Sequence, residues 1–347
     1  MSAPASPPLT DLNRQIRLAA RPQGDVSAAC FSRVDVPIAA LGDGDVRVRH
    51  HFLSLDPYMR GRMLDRKSYA APQPLGEVMI GGTVGVIEAS RHPDWAAGDA
   101  VVGMGGWQTH AVVDARVPGA LRRIDTRRLP MSAYLGVVGM PGVTAWYGLN
   151  HVIAPKPGQT VVVSAASGAV GSVVGQLAKR LGCRVVGVAG GPIKCAYLID
   201  ELGFDAAIDH HAHADLASMA AALKAAAPGG VDGHFENVGS VILDAVLQHA
   251  NPFARIAVCG MMAGYGGAPI PITQPSLILL NRLRIEGFIV TEHLDLWPQA
   301  LGELEALVAA GALTYRESVA DGLDAAPQAF INLLRGGNFG KQLVKLV

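Results

Sequence analysis

Residues 161–189 read VVVSAASGAVGSVVGQLAKRLGCRVVGVA, and this stretch decides the fold. An apolar run, Val161 to Val163, enters a turn of small residues, Ala165–Ala166–Ser167–Gly168–Ala169–Val170–Gly171. Helical spacing continues to about Leu181, Gly182 stops it, and a β-rich run from Val185 to Val188 completes a strand–helix–strand unit. The pattern is the dinucleotide-binding fingerprint with Ala166 in place of its first glycine. Small residues are needed here because the backbone must approach a pyrophosphate closely. The helix N-terminus behind the turn then offers N–H groups to the anion. Ala166, Gly168, Ala169, Val170 and Gly171 are the first candidate binding residues.

The residues after the second strand bear on which nucleotide binds. An NAD site usually places Asp or Glu about 20 residues past the motif, on the ribose 2′-hydroxyl. Here Ala189–Gly190–Gly191–Pro192–Ile193 carries no carboxylate, and Lys194 comes next. A cation suits a 2′-phosphate, so the residues point to NADP(H), with Gly191 and Lys194 at the site. The plainer alternative is a solvated first-turn lysine. A lysine at a helix N-terminus opposes the helix dipole, which argues for another purpose.

At 347 residues the chain has room for two domains, and half of it is hydrophobic, with mean hydropathy +0.28. Lys+Arg and Asp+Glu balance at 29 each, so there is no basic footprint for nucleic acid. Cys30, Cys183, Cys195 and Cys259 are scattered, which excludes a disulfide framework or a CxxC metal site and fits a cytoplasmic setting. The first fifteen residues, MSAPASPPLTDLNRQ, have no apolar signal core and read as a loose arm. Three long uncharged stretches, 129–155, 157–178 and 256–281, are broken by Gly and Pro. They read as buried parallel strands with their turns, not as membrane spans.

Short strand-like runs at 45–51, 82–89 and 100–104, separated by turns, predict an antiparallel β domain over residues 1–131. From residue 132 helices and strands alternate, which predicts an α/β doubly wound parallel sheet of six strands over 132–310. The tail, 311–347, offers a run at 312–319, a helix near 325–334 and a last strand near 342–346, and is expected to complete the first domain.

Seven short segments together resemble a known family. DPYMR (56–60), GMPGVTA (139–145), AASGAVG (165–171), ENVG (236–239), VCG (258–260), EGF (286–288) and GNFGK (337–341) occur in order along nearly the whole chain. The set resembles the zinc-free branch of the medium-chain dehydrogenase/reductase superfamily that holds prostaglandin, alkenal and curcumin reductases. The resemblance implies a GroES-like β domain interrupted by a Rossmann domain, with the active site in the cleft between them. It also implies a homodimer through the strand near 285–290. Zinc relatives carry Cys where Asp56 stands, Gly-His-Glu where Ile80–Gly81–Gly82 stands, and a four-Cys lobe, so no metal is expected. The pairs His50–His51 and His210–His211 are adjacent, and on a strand such side chains diverge.

The implied reaction is NADPH-dependent reduction of the C=C bond of an α,β-unsaturated ketone or aldehyde. By resemblance Tyr265 lies beside the nicotinamide ribose and the substrate; a phenol of ordinary pKa about 10 is a donor at neutral pH. The alternative is a tyrosine that orders a Gly-rich loop. Tyr58 and Arg60 are implied at the substrate. Met140, Thr144, Asn237, Cys259, Phe288, Val290, Asn338 and Gly340 are implied at the cofactor, Cys259, Phe288 and Val290 through main-chain groups and not through Cys259 as a nucleophile. For Met140 and Thr144 helix-start packing is the alternative; for Asn237, a turn residue; for Phe288 and Val290, a buried edge strand. His210 stands where close relatives have a tyrosine on the 2′-phosphate, and a protonated histidine would favour phosphate. A quinone reductase and a non-enzymatic NADP-binding protein are the competing readings.

Overall fold

A computed structural model describes residues 12–267 and 269–347. The chain divides into two units. One runs to Leu135 and takes back Ser318–Gly337 and Gln342–Val347; the other comprises Gly136–Glu317 and Asn338–Lys341. Residues 311–317, expected with the first unit, go with the second. The physical reason is a reciprocal pair: Gln176 Nε2 donates to the Thr314 carbonyl at 2.8 Å, and the Thr314 N–H donates to Gln176 Oε1 at 2.8 Å.

The first unit begins with β1 (Leu12–Leu18), paired antiparallel with β2 (Phe31–Pro37). The expected loose arm thus gives way to a strand by Leu12; its residues 1–11 lie outside the described residues. The main sheet comes next: β3 (Asp45–Ser54), then the short helix α1 (Tyr58–Arg62), β4 (Thr83–Ser90), β5 (Ala100–Gly103), β6 (His110–Asp114) and β7 (Leu121–Arg123). In it β3 pairs antiparallel with β4 and β6, and β5 pairs antiparallel with β4 and β7. The unit's aromatic core is Trp107, stacked on Phe31 at 5.3 Å and edge-on to Phe330 at 5.6 Å.

His50, on β3, is fully buried, with Nδ1 on the Gln108 carbonyl at 2.8 Å. Burial, aided by His110 and His51, outweighs that bond and lowers its pKa from 6.5 to about 4. As pH falls the unfolded chain takes up this proton first, so the contribution to stability is full above pH 6.5 and is lost on the way down to about 4. Between pH 7.5 and 5 the stability of the wild-type chain relative to His50→Gln should drop by about 2 kcal/mol. Urea unfolding at the two pH values reads this, and equal differences at both would refute it.

From Met131 to Ile153 the chain runs through a 3-10/α/π succession rather than plain α-helix. Met131–Leu135 is 3-10 and belongs to the first unit; α2 (Met140–Tyr147) runs on into a π-turn, Gly148–Ile153. Gly148 lets the Phe235 ring pack against this turn, since a Cβ there would lie 2.5 Å from it. Then come β8 (Thr160–Val163), α3 (Gly171–Arg180), β9 (Arg184–Ala189), α4 (Pro192–Asp200), β10 (Ala206–Asp209) and α5 (Leu216–Ala226). They are followed by β11 (Val231–Glu236), α6 (Ser240–His249), β12 (Ala250–Val258), α7 (Ser276–Leu280), β13 (Arg284–Gly287) and α8 (Trp297–Ala309). The strand order is β10-β9-β8-β11-β12-β13, parallel throughout. The chain winds outward from β8 on one side, then crosses to β11 on the other. The β8/β11 boundary is therefore the switch point, where ligands of such sheets bind at the strands' carboxyl ends.

The tail supplies β14 (Glu317–Asp321), α9 (Ala326–Leu334) and β15 (Lys341–Lys345). β14 starts five residues later than the expected run, and β15 pairs antiparallel with β3, adding both strands to the first unit's sheet.

Candidate functional site

The motif turn lies directly after β8. Ala165 adopts φ +47°, a left-handed conformation unusual for a residue with a Cβ. The Ala166 N–H donates to the Val188 carbonyl at 2.9 Å, tying the turn to β9, and Gly168 N–H closes on the Ala165 carbonyl at 3.0 Å. A Cβ on Gly171 would lie 2.6 Å from the Ala165 oxygen and 2.8 Å from Ala166 Cα, which is why that position requires glycine. At Gly168 the nearest atom would be 3.2 Å away. The Val170 and Gly171 N–H groups meet no backbone acceptor among the described residues, the arrangement that receives an anion at a helix N-terminus. The segment Asn338–Lys341 crosses this turn. Gly340 bridges Gly168, and its N–H donates to the Ser167 carbonyl at 3.1 Å. Gly340 has φ +72°, and a Cβ there would lie 2.0 Å from the Arg316 oxygen. The Asn338 amide donates within its own loop, to the Gly340 carbonyl at 2.8 Å.

Beyond β9, Gly191 (φ +87°) starts α4, with Lys194 half-buried in its first turn. Burial lowers the Lys194 pKa, and the rings of His210 and His211 stand edge-on at 4.4 Å. These two histidines meet instead of diverging because they lie on the turn after β10, not within the strand. His210 is pulled down by burial first and then by His211, with Lys194 contributing, so cationic charge at neutral pH rests on Lys194 and His210 serves as a neutral ring. Sequence reasoning misses Asp209 at this site. Its Oδ1 accepts the Gly191 N–H at 2.8 Å and the His211 N–H at 3.0 Å, fixing the Gly190–Gly191 backbone from the far end of β10. The Gly191 bond, with that of His211 adding, lowers its pKa.

At the carboxyl end of β11, Asn237 is buried. Its amide donates to the Ser164 carbonyl at 2.7 Å and its N–H to Ser164 Oγ at 2.7 Å, so both face the motif turn. The Asn237 carbonyl accepts the Met262 N–H at 3.1 Å, and the Tyr265 N–H donates to the Met262 carbonyl at 3.1 Å. This folds the Tyr265 ring back over the sheet edge, where its hydroxyl lies 3.3 Å from the position of a Cβ on Gly260. Cys259 is held through its N–H on the Glu236 carbonyl at 2.9 Å. Burial and the Glu236 charge push its thiol up to about 12, so it carries no thiolate.

Met140 and Thr144 start α2, and the Thr144 hydroxyl donates to the Met140 carbonyl at 2.7 Å, the helix-packing alternative for that proton. Phe288 packs in an aromatic group with Tyr147 at 5.3 Å and Phe235 at 6.2 Å. The strand stops at Gly287, short of Val290, which lies in a 3-10 turn. The Val290 carbonyl already accepts Trp297 Nε1 at 3.1 Å and the His293 N–H at 3.2 Å, leaving Val290 its N–H.

In the first unit Tyr58 and Arg60 share α1. Burial, reinforced by Asp56, raises the Tyr58 pKa, which keeps the phenol a donor. Arg60 is 3 % exposed; Nη2 donates to the Gly24 carbonyl at 2.6 Å, Nη1 has no partner among the described residues, and burial lowers its pKa. Among the described residues no three His, Cys, Asp or Glu side chains converge as a metal site, and no helix is long and apolar enough to cross a membrane.

A doubly wound parallel sheet with a glycine-poor anion turn at its switch point, in one chain with an antiparallel β unit, defines a dinucleotide-dependent oxidoreductase. Residues 14–119 match the family model for the N-terminal domain of oxidoreductase, and 169–306 match that for zinc-binding dehydrogenase. The chain is 42% identical over 344 residues to the NADPH-dependent curcumin reductase of Escherichia coli, covering 96% of this chain and 97% of that one. It is also 42% identical to the NADP(+)-dependent 2-alkenal reductase of Nicotiana tabacum, covering 87% and 88%. The crystal structure of CurA in complex with NADPH from Vibrio vulnificus superposes with TM-score 0.90 at 42% identity, over 96% of this chain and 99% of that one. This chain belongs to the zinc-free branch of the medium-chain dehydrogenase/reductase family that holds the curcumin, alkenal and prostaglandin reductases.

Proposed function

We propose that this chain is a cytoplasmic NADPH-dependent reductase of the C=C bond of α,β-unsaturated ketones and aldehydes. The observation that carries it is the Tyr265 phenol held over Gly260, on a loop hydrogen-bonded to the switch-point residue Asn237. The cofactor fits the chain's own residues. The turn, which closes tightly only because Gly171 has no Cβ, takes the pyrophosphate, and Lys194 with His210 takes the 2′-phosphate. When bound, NADPH supplies a hydride. The substrate's β-carbon gains that hydride, the C=C π pair becomes the π bond between the α-carbon and the carbonyl carbon, the C=O π pair moves onto oxygen to give the enolate, and a solvent-exchangeable proton then adds to the α-carbon as the carbonyl re-forms. Tyr265 donates a hydrogen bond to the developing enolate oxygen. Tyr58 and Arg60 face the substrate in this reading, and Met140, Asn237, Phe288, Val290 and Asn338 surround the cofactor. Its partner is a second copy of the chain along β13, an edge strand near exposed Leu279, Leu280 and Phe253.

The test follows NADPH and NADH absorbance with an alkenal, an aryl enone and a quinone. Faster loss of NADPH with the enones, with the saturated carbonyl as product, is expected. Lys194→Ala should raise KM for NADPH about tenfold or more and leave that for NADH unchanged, since a charge-assisted bond contributes roughly 1.5–3 kcal/mol. The same preparation at sedimentation equilibrium should give twice the chain mass. No turnover of any enone, or a preference for the quinone, would sink the assignment.

A further inference from the structure

We propose that Ser164 and Glu236 are positioning residues that staple the two lips of the switch-point crevice to each other and to the Tyr265 loop, with His234 holding Glu236 in place. The inference rests on that crevice taking the cofactor.

Three side chains meet at the β8/β11 boundary, each without measurable exposure. Glu236 Oε1 accepts Ser164 Oγ at 2.6 Å, the Val238 N–H at 2.6 Å and the Gly239 N–H at 2.9 Å. Glu236 Oε2 meets His234 Nε2 at 2.9 Å, and His234 Nδ1 meets the Val162 carbonyl at 3.0 Å. The His234 ring is thus held from both sides, by the Val162 carbonyl and the Glu236 carboxylate. A buried carboxylate is tolerable here because it is paired and its remaining lone pairs are filled. These bonds, the His234 charge foremost, outweigh burial and hold the Glu236 pKa at about 2.

Ser164 does two things at once. Its hydroxyl donates to Glu236 and accepts the Asn237 N–H at 2.7 Å, and its carbonyl accepts the Asn237 amide at 2.7 Å. Ser164 is the first residue of the motif turn, and Glu236 to Gly239 form the opposite lip. The Glu236 carbonyl then holds the Cys259 and Gly260 N–H groups at 2.9 and 3.1 Å, and the Asn237 carbonyl holds Met262, which leads to Tyr265. One connected set of hydrogen bonds thus joins the anion turn to the Tyr265 loop. A hydroxyl that donates to one lip and accepts from it cannot be replaced by packing alone. Without it, the Asn237 N–H loses its acceptor and Glu236 loses a donor.

The experiment measures NADPH dissociation constants by fluorescence titration, together with kcat and melting temperature, on full-length chains. Ser164→Ala should weaken NADPH about tenfold and lower kcat. Glu236→Gln should stay within about threefold of wild type. Its amide oxygen still serves the three donors, and its NH2 faces His234 Nε2, an imidazole nitrogen able to accept. Should Ser164→Ala not fold, Ser164→Cys fills the same space with a poor donor and acceptor and should weaken NADPH several-fold. A lowered melting temperature with unchanged Kd and kcat, in either serine variant, would overturn the proposal, because a merely structural bond predicts that. A loss in Glu236→Gln as large as in Ser164→Ala would also overturn it. Failure of the wild-type chain to bind NADPH would overturn the cofactor reading and the staple together. Normal wild-type binding with unaffected serine variants overturns the staple alone.

Discussion

Tyr265→Phe should lower kcat for enone reduction by about a hundredfold or more, with KM for NADPH within about threefold of wild type. The reaction places negative charge on a carbonyl oxygen that starts neutral. A donor aimed at that oxygen is worth more in the transition state than in the ground state, so its loss falls on kcat. One such donor contributes roughly 3 kcal/mol in a water-poor site. Phenylalanine keeps the ring and removes only the hydroxyl, the atom that lies 3.3 Å from the position of a Cβ on Gly260. The loop that carries Tyr265 is pinned through backbone bonds from Asn237 to Met262 and from Val238 to Ala263, neither of which involves the phenol. The geometry should therefore survive the substitution. Steady-state kinetics with one alkenal and one aryl enone checks this. A kcat within threefold of wild type for both would leave Tyr265 as a loop-ordering residue and move the donor role elsewhere.

The motif turn and the strand order are legible in the sequence because both are backbone requirements written in local residues. Small residues at a strand–turn–helix junction have few other uses, and six apolar runs spaced by helices leave little topological freedom. The site's electrostatics are less legible. Lys194 can be found by its place in the chain, but Asp209 cannot. It lies 18 residues from the Gly191 N–H it accepts and reaches it only because β10 pairs with β9. The Ser164–Glu236–His234 set is hidden for the same reason. Ser164 and Glu236 are 72 residues apart and meet because β8 and β11 are neighbours. The one signal available is the alternation Asp232, His234, Glu236 in one short strand, a spacing of two that puts all three on one face. The strand expected to reach residue 290 ends at Gly287, because Phe288 and Val290 only look like strand residues. Phe288 instead packs on Tyr147, and Val290 turns into a 3-10 segment capped by Trp297. Tertiary contacts override β propensity in such short runs.

Two glycines of the same turn should respond differently to alanine, and the contrast tests the turn directly. Gly171→Ala should destabilise the cofactor-free chain by about 1–3 kcal/mol and weaken NADPH by more than about tenfold. The added methyl would meet the Ala165 oxygen at 2.6 Å, Ala166 Cα at 2.8 Å and the Ala165 carbonyl carbon at 3.1 Å. All three are backbone atoms, so no side chain can swing aside. The turn itself has little slack, since Ala165 already sits at φ +47° and Ala166 is tied to β9. The chain must open the turn, and that displaces the Val170 and Gly171 N–H groups from the anion. At Gly168 a methyl meets only the Ala165 oxygen, at 3.2 Å, and φ is not left-handed. A shift of a few tenths of an ångström accommodates it. Gly168→Ala should leave the cofactor-free melting temperature within about 1 °C of wild type, because a cost of a few tenths of a kcal/mol moves a chain of this size by about 1 °C or less. Its effect should fall on NADPH affinity alone, where the backbone must come close to the pyrophosphate. Thermal unfolding without cofactor and fluorescence titration with it separate the two. If Gly171→Ala melts and binds like wild type, the turn is not the close approach that its packing indicates. If Gly168→Ala loses stability as Gly171→Ala does, the strain is spread over the whole turn and not concentrated where α3 begins.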